Sequence, residues 1–223
     1  MTILTQENIE RHLSEQGLGD ASKDLARIVW EHALSWKVEA EGDLNKCDYI
    51  FAFAFGFRWN PSQLGIREPG SVNEALAEQV RHYYKQKARH VYAQWEISAL
   101  LQGAIPTSYL HSIFPEVDES GREPYLSTKG VLEKIDALLK KEKKKSAELG
   151  SVLIVAHRNH LPRCKWFAEQ MGFTVAGDQE NMPSHYDSQC AQRWITETKR
   201  GIISEVISRL SAYRSEVLYR EQP

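Results

Sequence analysis

Residues 151–176 read SVLIVAHRNHLPRCKWFAEQMGFTVA, and this stretch decides the fold. Ser151-VLIVA is a short unbroken apolar run, the pattern of a strand covered on both faces. From His160 to Met171 the apolar positions follow helical spacing. Pro162 falls in the first turn of that helix, where a missing N–H costs nothing. Gly172 ends the helix, and Phe173-TVA is a second short apolar run. A strand, a helix and a strand in close succession specify a parallel pair joined by a crossover.

The same alternation continues upstream. Asp48-YIFAFAF-Gly56 reads as a buried central strand, and a long loop follows from Gly56 to Gly70, with Pro61, Gly65 and Pro69. Ser71 and Glu74 have the spacing of a capping box for a helix from about Val72 to Lys85. Arg89-HVYAQ is a second strand, followed by a short helix through Glu96, Ala99 and Leu100 that ends at Gly103. Leu110-HSIF is a third strand. The loop from Pro115 to Leu126 is acidic, and Ser127-Thr128 open the next helix, which closes on the lysine-rich run KKEKKKSAE. Cations at a helix C-terminus are favourable to its dipole, so this run reads as a solvated end. Ala191 to Tyr213 is expected to form one long final helix, with Trp194, Ile195, Ile202, Ile203, Val206, Ile207 and Leu210 on its apolar face.

Five strands alternating with helices predict an α/β fold: a Rossmann-like, doubly wound, mainly parallel five-stranded sheet with helices on both faces. Residues 1–46 read as an N-terminal helical appendage, broken at Gly17 and Gly19 and restarted at Asp20 or Ser22. Residues 47–215 form the α/β domain, and 216–223 a frayed tail.

Composition narrows the classes. The chain has 223 residues, with 28 Lys and Arg against 30 Asp and Glu, for a formal charge of −2. That balance speaks against a basic nucleic-acid binder. No apolar run approaches the ~20 residues of a membrane span. Cys47, Cys164 and Cys190 are scattered, without a CxxC pair, which suits a reducing, cytoplasmic setting.

In an open parallel sheet, ligands bind beyond the carboxyl ends of the strands. The residues expected there are Gly56, Arg58, Trp59 and Asn60 after the first strand, and Gln94, Trp95 and Glu96 after the second. Glu116, Asp118, Glu123, Ser127 and Thr128 follow the third, and His157, Arg158, Asn159, His160 and Arg163 the fourth. His160 and Arg163 are three apart at a helix start, so they share a face. Arg163 offers a planar, permanently charged fork, and His160 can move a proton near neutrality. Free N–H groups at that helix end would add to anion binding. The structural alternative is that His160 caps the helix and Arg163 pairs with Glu169 or a loop acid. Carboxylates together with His157 and His160 could also make a mixed metal site, although the His-Glu-x-x-His pattern is absent. The sequence GFRWNP after the first strand lacks the dinucleotide fingerprint, and no G-x-S-x-G elbow occurs.

The order of motifs resembles the YdcF/SanA/ElyC-type family of bacterial α/β proteins over roughly residues 48–210. The resemblance rests on HLPR at 160–163, matching the family's H-x-x-R, and on Glu123 and Thr128 ahead of the third helix. The chain has Ala93-Gln94-Trp95 where the family has a Ser-Gly-Gly-like turn, and Gly130-Val131 where it has Glu-Asn. The resemblance implies a YdcF-like branch without membrane segments, and with it a possible cofactor, S-adenosylmethionine.

These readings define the expected function: binding of a small anionic or nucleotide-like ligand at the carboxyl edge of the sheet. His160 and Glu123 are the candidate catalytic groups. Gly56, Arg58, Trp95, Glu96, Ser127, Thr128, His157 and Arg163 are the candidate ligand contacts. The alternatives are a hydrolase or transferase on a phosphorylated substrate, assisted by metal at Glu116, Asp118, His157 or His160, and a regulatory protein whose pocket has decayed.

Overall fold

Each of the five apolar runs forms a strand in the computed structural model, which describes residues 5–35, 37–38, 42–117 and 125–220. In chain order, with two short hairpin strands included, they are β1 (Tyr49–Ala52), β2 (Arg58–Trp59), β3 (Arg67–Glu68), β4 (His90–Gln94), β5 (Leu110–Ile113), β6 (Ser151–Val155) and β7 (Thr174–Gly177). The main sheet has the order β5-β4-β1-β6-β7, and all its pairs are parallel. Every residue of β1 is buried, as a central strand covered on both faces requires.

The chain divides into two compact units, Val38–Gly201 and Met1–Lys37 with Ile202–Pro223. The first is the α/β unit. Its helices are α3 (Ser71–Gln86), α4 (Trp95–Leu101), α5 (Thr128–Lys141) and α6 (Leu161–Gln170). Helix α3 packs beside α4, and α5 beside α6. The chain winds outward from β1 through β4 to β5, then returns to β6 on the other side of β1. With right-handed crossovers the two helix pairs cover opposite faces, which is the doubly wound Rossmann-like arrangement. The winding reverses between β1 and β6, so the crevice lies beyond the ends of those two strands.

The second unit is helical. It holds α1 (Gln6–Glu15), α2 (Ala21–Val29), a π-helical turn at Trp30–Leu34, and most of α7 (Thr198–Arg220). The C-terminal helix was expected to stay with the α/β domain through residue 215, but beyond Gly201 it groups with the N-terminal helices. The contacts within the unit explain this. Arg209 donates to the carbonyls of Glu31 (3.0 Å) and Ser35 (2.7 Å), and the rings of His32 and Tyr213 lie 4.1 Å apart.

Four local expectations are corrected. The cap of α3 is Gly70, at φ +79°, and no side chain caps the helix; Ser71 already lies inside it. Asp20 precedes α2 without a capping bond, while Ser22 is buried within the helix. The last long helix begins at Thr198, after a separate 3-10 turn at Arg193–Ile195 that leaves Trp194 55% exposed. The loop from Gly56 to Gly70 folds back on itself as the β2–β3 hairpin. Trp36 lies outside the described residues.

One buried cation organises the amino end of the sheet. Arg89 donates to the carbonyls of Cys47 (2.9 Å), Lys87 (3.0 Å), Leu44 (2.9 Å) and Tyr83. It gathers the end of α3 and the turn before β1, and burial pulls its pKa down.

Candidate functional site

Two turns meet at the reversal point, one after β1 and one after β6. The turn after β1 runs through Phe53, Ala54, Phe55, Gly56 and Phe57, all buried. In a nucleotide-binding sheet the N–H groups here would face a phosphate. In this protein other groups take them. Phe53 N–H donates to the Val155 carbonyl (2.9 Å), Ala54 N–H to Gln94 Oε1 (2.8 Å), and Phe55 N–H to Asn73 Oδ1 (2.8 Å). The side-chain amide of Asn73 also donates to the Gly56 carbonyl at 2.7 Å.

Gly56 sits at φ +81°, a conformation that favours glycine. A Cβ there would fall 2.4 Å from Cys190 Sγ and 2.8 Å from Ile195 Cδ1. The segment 187–195 therefore lies directly on the turn, where a ligand phosphate would otherwise approach. Ala191 N–H donates to the Phe57 carbonyl at 2.8 Å. Arg58 makes two bonds to Asp187, at 2.6 and 2.8 Å, so its charge is committed to holding this segment. Burial alone would raise the Asp187 pKa. The Arg58 bonds and the N–H groups of Gln189 and Ser71 outweigh burial and hold it below the ordinary range. Burial pushes the Cys190 thiol up, leaving it a packing group.

Beyond β6, His157 is fully buried. It donates from Nε2 to the His185 carbonyl (3.2 Å), accepts at Nδ1 from Asn159 N–H (3.3 Å), and stacks on Phe55 at 4.1 Å. With one nitrogen donating and the other accepting, the ring is the neutral Nε2–H tautomer and acts as a structural post. Asn159 donates to the Tyr186 hydroxyl at 2.8 Å. Arg158 reaches the carbonyls of Gln179 (3.3 Å) and Glu180, away from the crevice.

His160 is buried, edge-on to Phe53, and does not cap α6 with its side chain. Arg163 is half-buried, and its Nη1 donates to Thr128 Oγ1 at 2.9 Å. That bond brings the starts of α5 and α6 together. The alternative partner Glu169 is held by Lys165 instead. The expected free N–H groups at the start of α6 are not there. Leu161 N–H bonds the His157 carbonyl, and the N–H groups of Arg163 and Cys164 bond that of His160. The turn at 157–160 extends the helix backwards and absorbs its donors.

Ser127 caps α5, its hydroxyl accepting from Gly130 N–H at 3.1 Å. Trp95 is half-buried and Glu96 buried at the start of α4. Glu116 is exposed and paired with Lys134 at 2.7 Å. Asp118 and Glu123 lie outside the described residues. Trp59 is exposed, with Arg67 near its ring at 5.8 Å.

Tyr125 was not singled out by the sequence. Burial pushes its phenol pKa up, and the nearby Glu96 carboxylate adds to the rise; Arg163 and the Gly56 N–H act in the opposite direction. The residue as a whole keeps 44% exposure. Among the described residues no group of three or more His, Cys, Asp or Glu side chains is placed to hold a metal ion. No helix among them is long and apolar enough to cross a membrane.

No protein-family model matches the chain, and no curated protein or solved structure matches it either.

Proposed function

We propose that the α/β unit binds a small anionic, phosphate- or carboxylate-bearing ligand at the carboxyl edge of its sheet, on the β6 side of the reversal point. The observation that carries this reading is the Arg163–Thr128 bond, which sets a permanently charged fork where two helices begin. The guanidinium beside the start of α5 favours an anionic ligand. His160, one turn earlier in the chain and buried against Phe53, is the group assigned to move a proton.

The closed β1 turn narrows the ligand. With the N–H groups of Phe53, Ala54 and Phe55 already bonded and Gly56 covered, a dinucleotide has no ordinary phosphate cradle there. A single anionic group held by side chains suits this edge better. The proposal keeps the YdcF-like family as its reading of the chain and includes S-adenosylmethionine among the compounds to be tried.

The test is a thermal-shift panel of inorganic phosphate, sugar phosphates, nucleotides and S-adenosylmethionine, with calorimetry on any hit. A ligand at 100 times its Kd stabilises by ~2.7 kcal/mol. Arg163→Ala should weaken the hit by more than tenfold, or ~1.4 kcal/mol. Unchanged affinity removes Arg163 from the site. The covered Gly56 turn also favours a second reading, a regulatory protein with a decayed pocket; it predicts that no member of the panel shifts the melting temperature.

A further inference from the structure

At the opposite end of the sheet a group of rings and charges has no part in the proposed site. His90 begins β4 and His111 lies in β5, the edge strand, which is held in the sheet only by β4. Nδ1 of His90 and Nε2 of His111 are 3.5 Å apart, in hydrogen-bonding contact. His111 also stacks flat on Tyr92, its register partner in β4, at 4.3 Å. Tyr109, just before β5, lies 5.0 Å from His90, and Tyr49 of β1 stacks on His90 at 5.7 Å.

Few charges face these rings among the described residues. From the end of α5 come Glu142, 3.5 Å from the Tyr92 hydroxyl, and Lys144, which bonds Glu142 at 2.8 Å and lies over the Tyr49 ring. From α3 comes Tyr84, against Tyr109. The Glu142 and Lys144 charges cancel.

We propose that His90 and His111 form a proton-sensitive clasp that fastens β5 to β4 near neutrality and releases it in acid. A nitrogen–nitrogen hydrogen bond needs one donor and one acceptor. The neutral pair satisfies this, and so does the pair with one added proton. A second proton turns both nitrogens into donors and sets two cations against each other beside Lys144, with Glu142 the one facing carboxylate among the described residues. The contact must then part. His111 is already resistant to charging, because burial lowers its pKa, as do His90 and Lys144, while Glu142 opposes them. A histidine held below its unfolded value takes up protons more readily once released. Stability at β5 is therefore full above the ordinary histidine range and falls as pH drops below it. The other edge strand, β7, contains no histidine and serves as an internal reference.

The test is hydrogen exchange of the full chain, corrected for intrinsic rates. On going from about pH 7 to about pH 5, protection of the β5 amides should fall by about tenfold or more, while β7 changes little. His111→Phe keeps a ring against Tyr92 without the proton and should flatten the β5 response. An equal fall at β5 and β7, or the same fall in His111→Phe, overturns the proposal. Imidazole NMR of the unaltered protein gives a reading that needs no variant. The His111 ring should take up its proton over the pH range in which β5 loses protection, and a His111 signal unchanged through that range contradicts the clasp.

Discussion

The two turns at the reversal point occupy equivalent places in the fold and are built in opposite ways. The turn after β1 is neutral and closed: its N–H groups bond Val155, Gln94 and Asn73, and Cys190 and Ile195 lie on its glycine. The turn after β6 leads to charge: Arg163 reaches across to Thr128, and His160 sits at the head of α6. A doubly wound sheet provides a crevice at this point but does not say which lip is used. Here side chains seal the β1 lip, and the proposed site lies on the β6 lip.

The largest expected effect tests the sealed lip. Gly56→Ala places a Cβ against Cys190 Sγ and forces a left-handed backbone on alanine. Strain and overpacking together should cost ~3–5 kcal/mol, read by urea denaturation. A loss below ~1 kcal/mol would mean that the 187–195 segment yields easily and the turn is open to ligand. Next comes Asp187→Ala, which leaves Arg58 without its bidentate partner. The expected loss is ~2–3 kcal/mol, since hydrogen bonds between charged groups are the strong ones. The same pair gives a pH dependence. Asp187 is held below its ordinary value in the fold, so its contribution is complete above about pH 4 and is lost as pH falls through its folded pKa. Acid unfolding of Asp187→Asn should lack this component.

The charged lip should respond in the other sense. Arg163→Ala removes one bond at a half-buried position, and the cost to stability should stay near ~1 kcal/mol. Its effect should appear in ligand affinity instead. His160→Gln is the smallest of the series for binding. The amide retains hydrogen-bonding capacity at that position but cannot shuttle a proton, so any turnover should fall while affinity changes little.

Much of this architecture was legible before any coordinates. Continuous apolar runs such as YIFAFAF and SVLIVA can be satisfied only by burial on both faces, so all five sheet strands and their parallel sense followed from the sequence. His160, Arg163 and Thr128 could be read as well, because a charged or hydroxyl residue at a helix start beyond a buried strand has a fixed destination. What escaped were the groups that close the β1 turn. Asn73 carries a faint signal, a polar residue on the buried stripe of α3 beside Val72, Leu76 and Ala77. Asp187 and Cys190 carry none, since they act through a long-range fold-back of an irregular segment whose local pattern is merely polar. Gly70 capped α3 where Ser71 had the better capping chemistry, because the β2–β3 hairpin needed a left-handed residue at that point. Trp194 was assigned to a helical apolar face that does not exist, since the helix starts only at Thr198.

The most direct measurement is calorimetric titration of the strongest ligand from the thermal-shift panel into three proteins: unaltered, Arg163→Ala and Arg58→Ala. The account predicts more than a tenfold loss for Arg163→Ala and a Kd little changed for Arg58→Ala once folded protein is counted. The reverse pattern, with Arg58 carrying the affinity and Arg163 dispensable, would place the ligand on the lip that the structure shows sealed, and would contradict it.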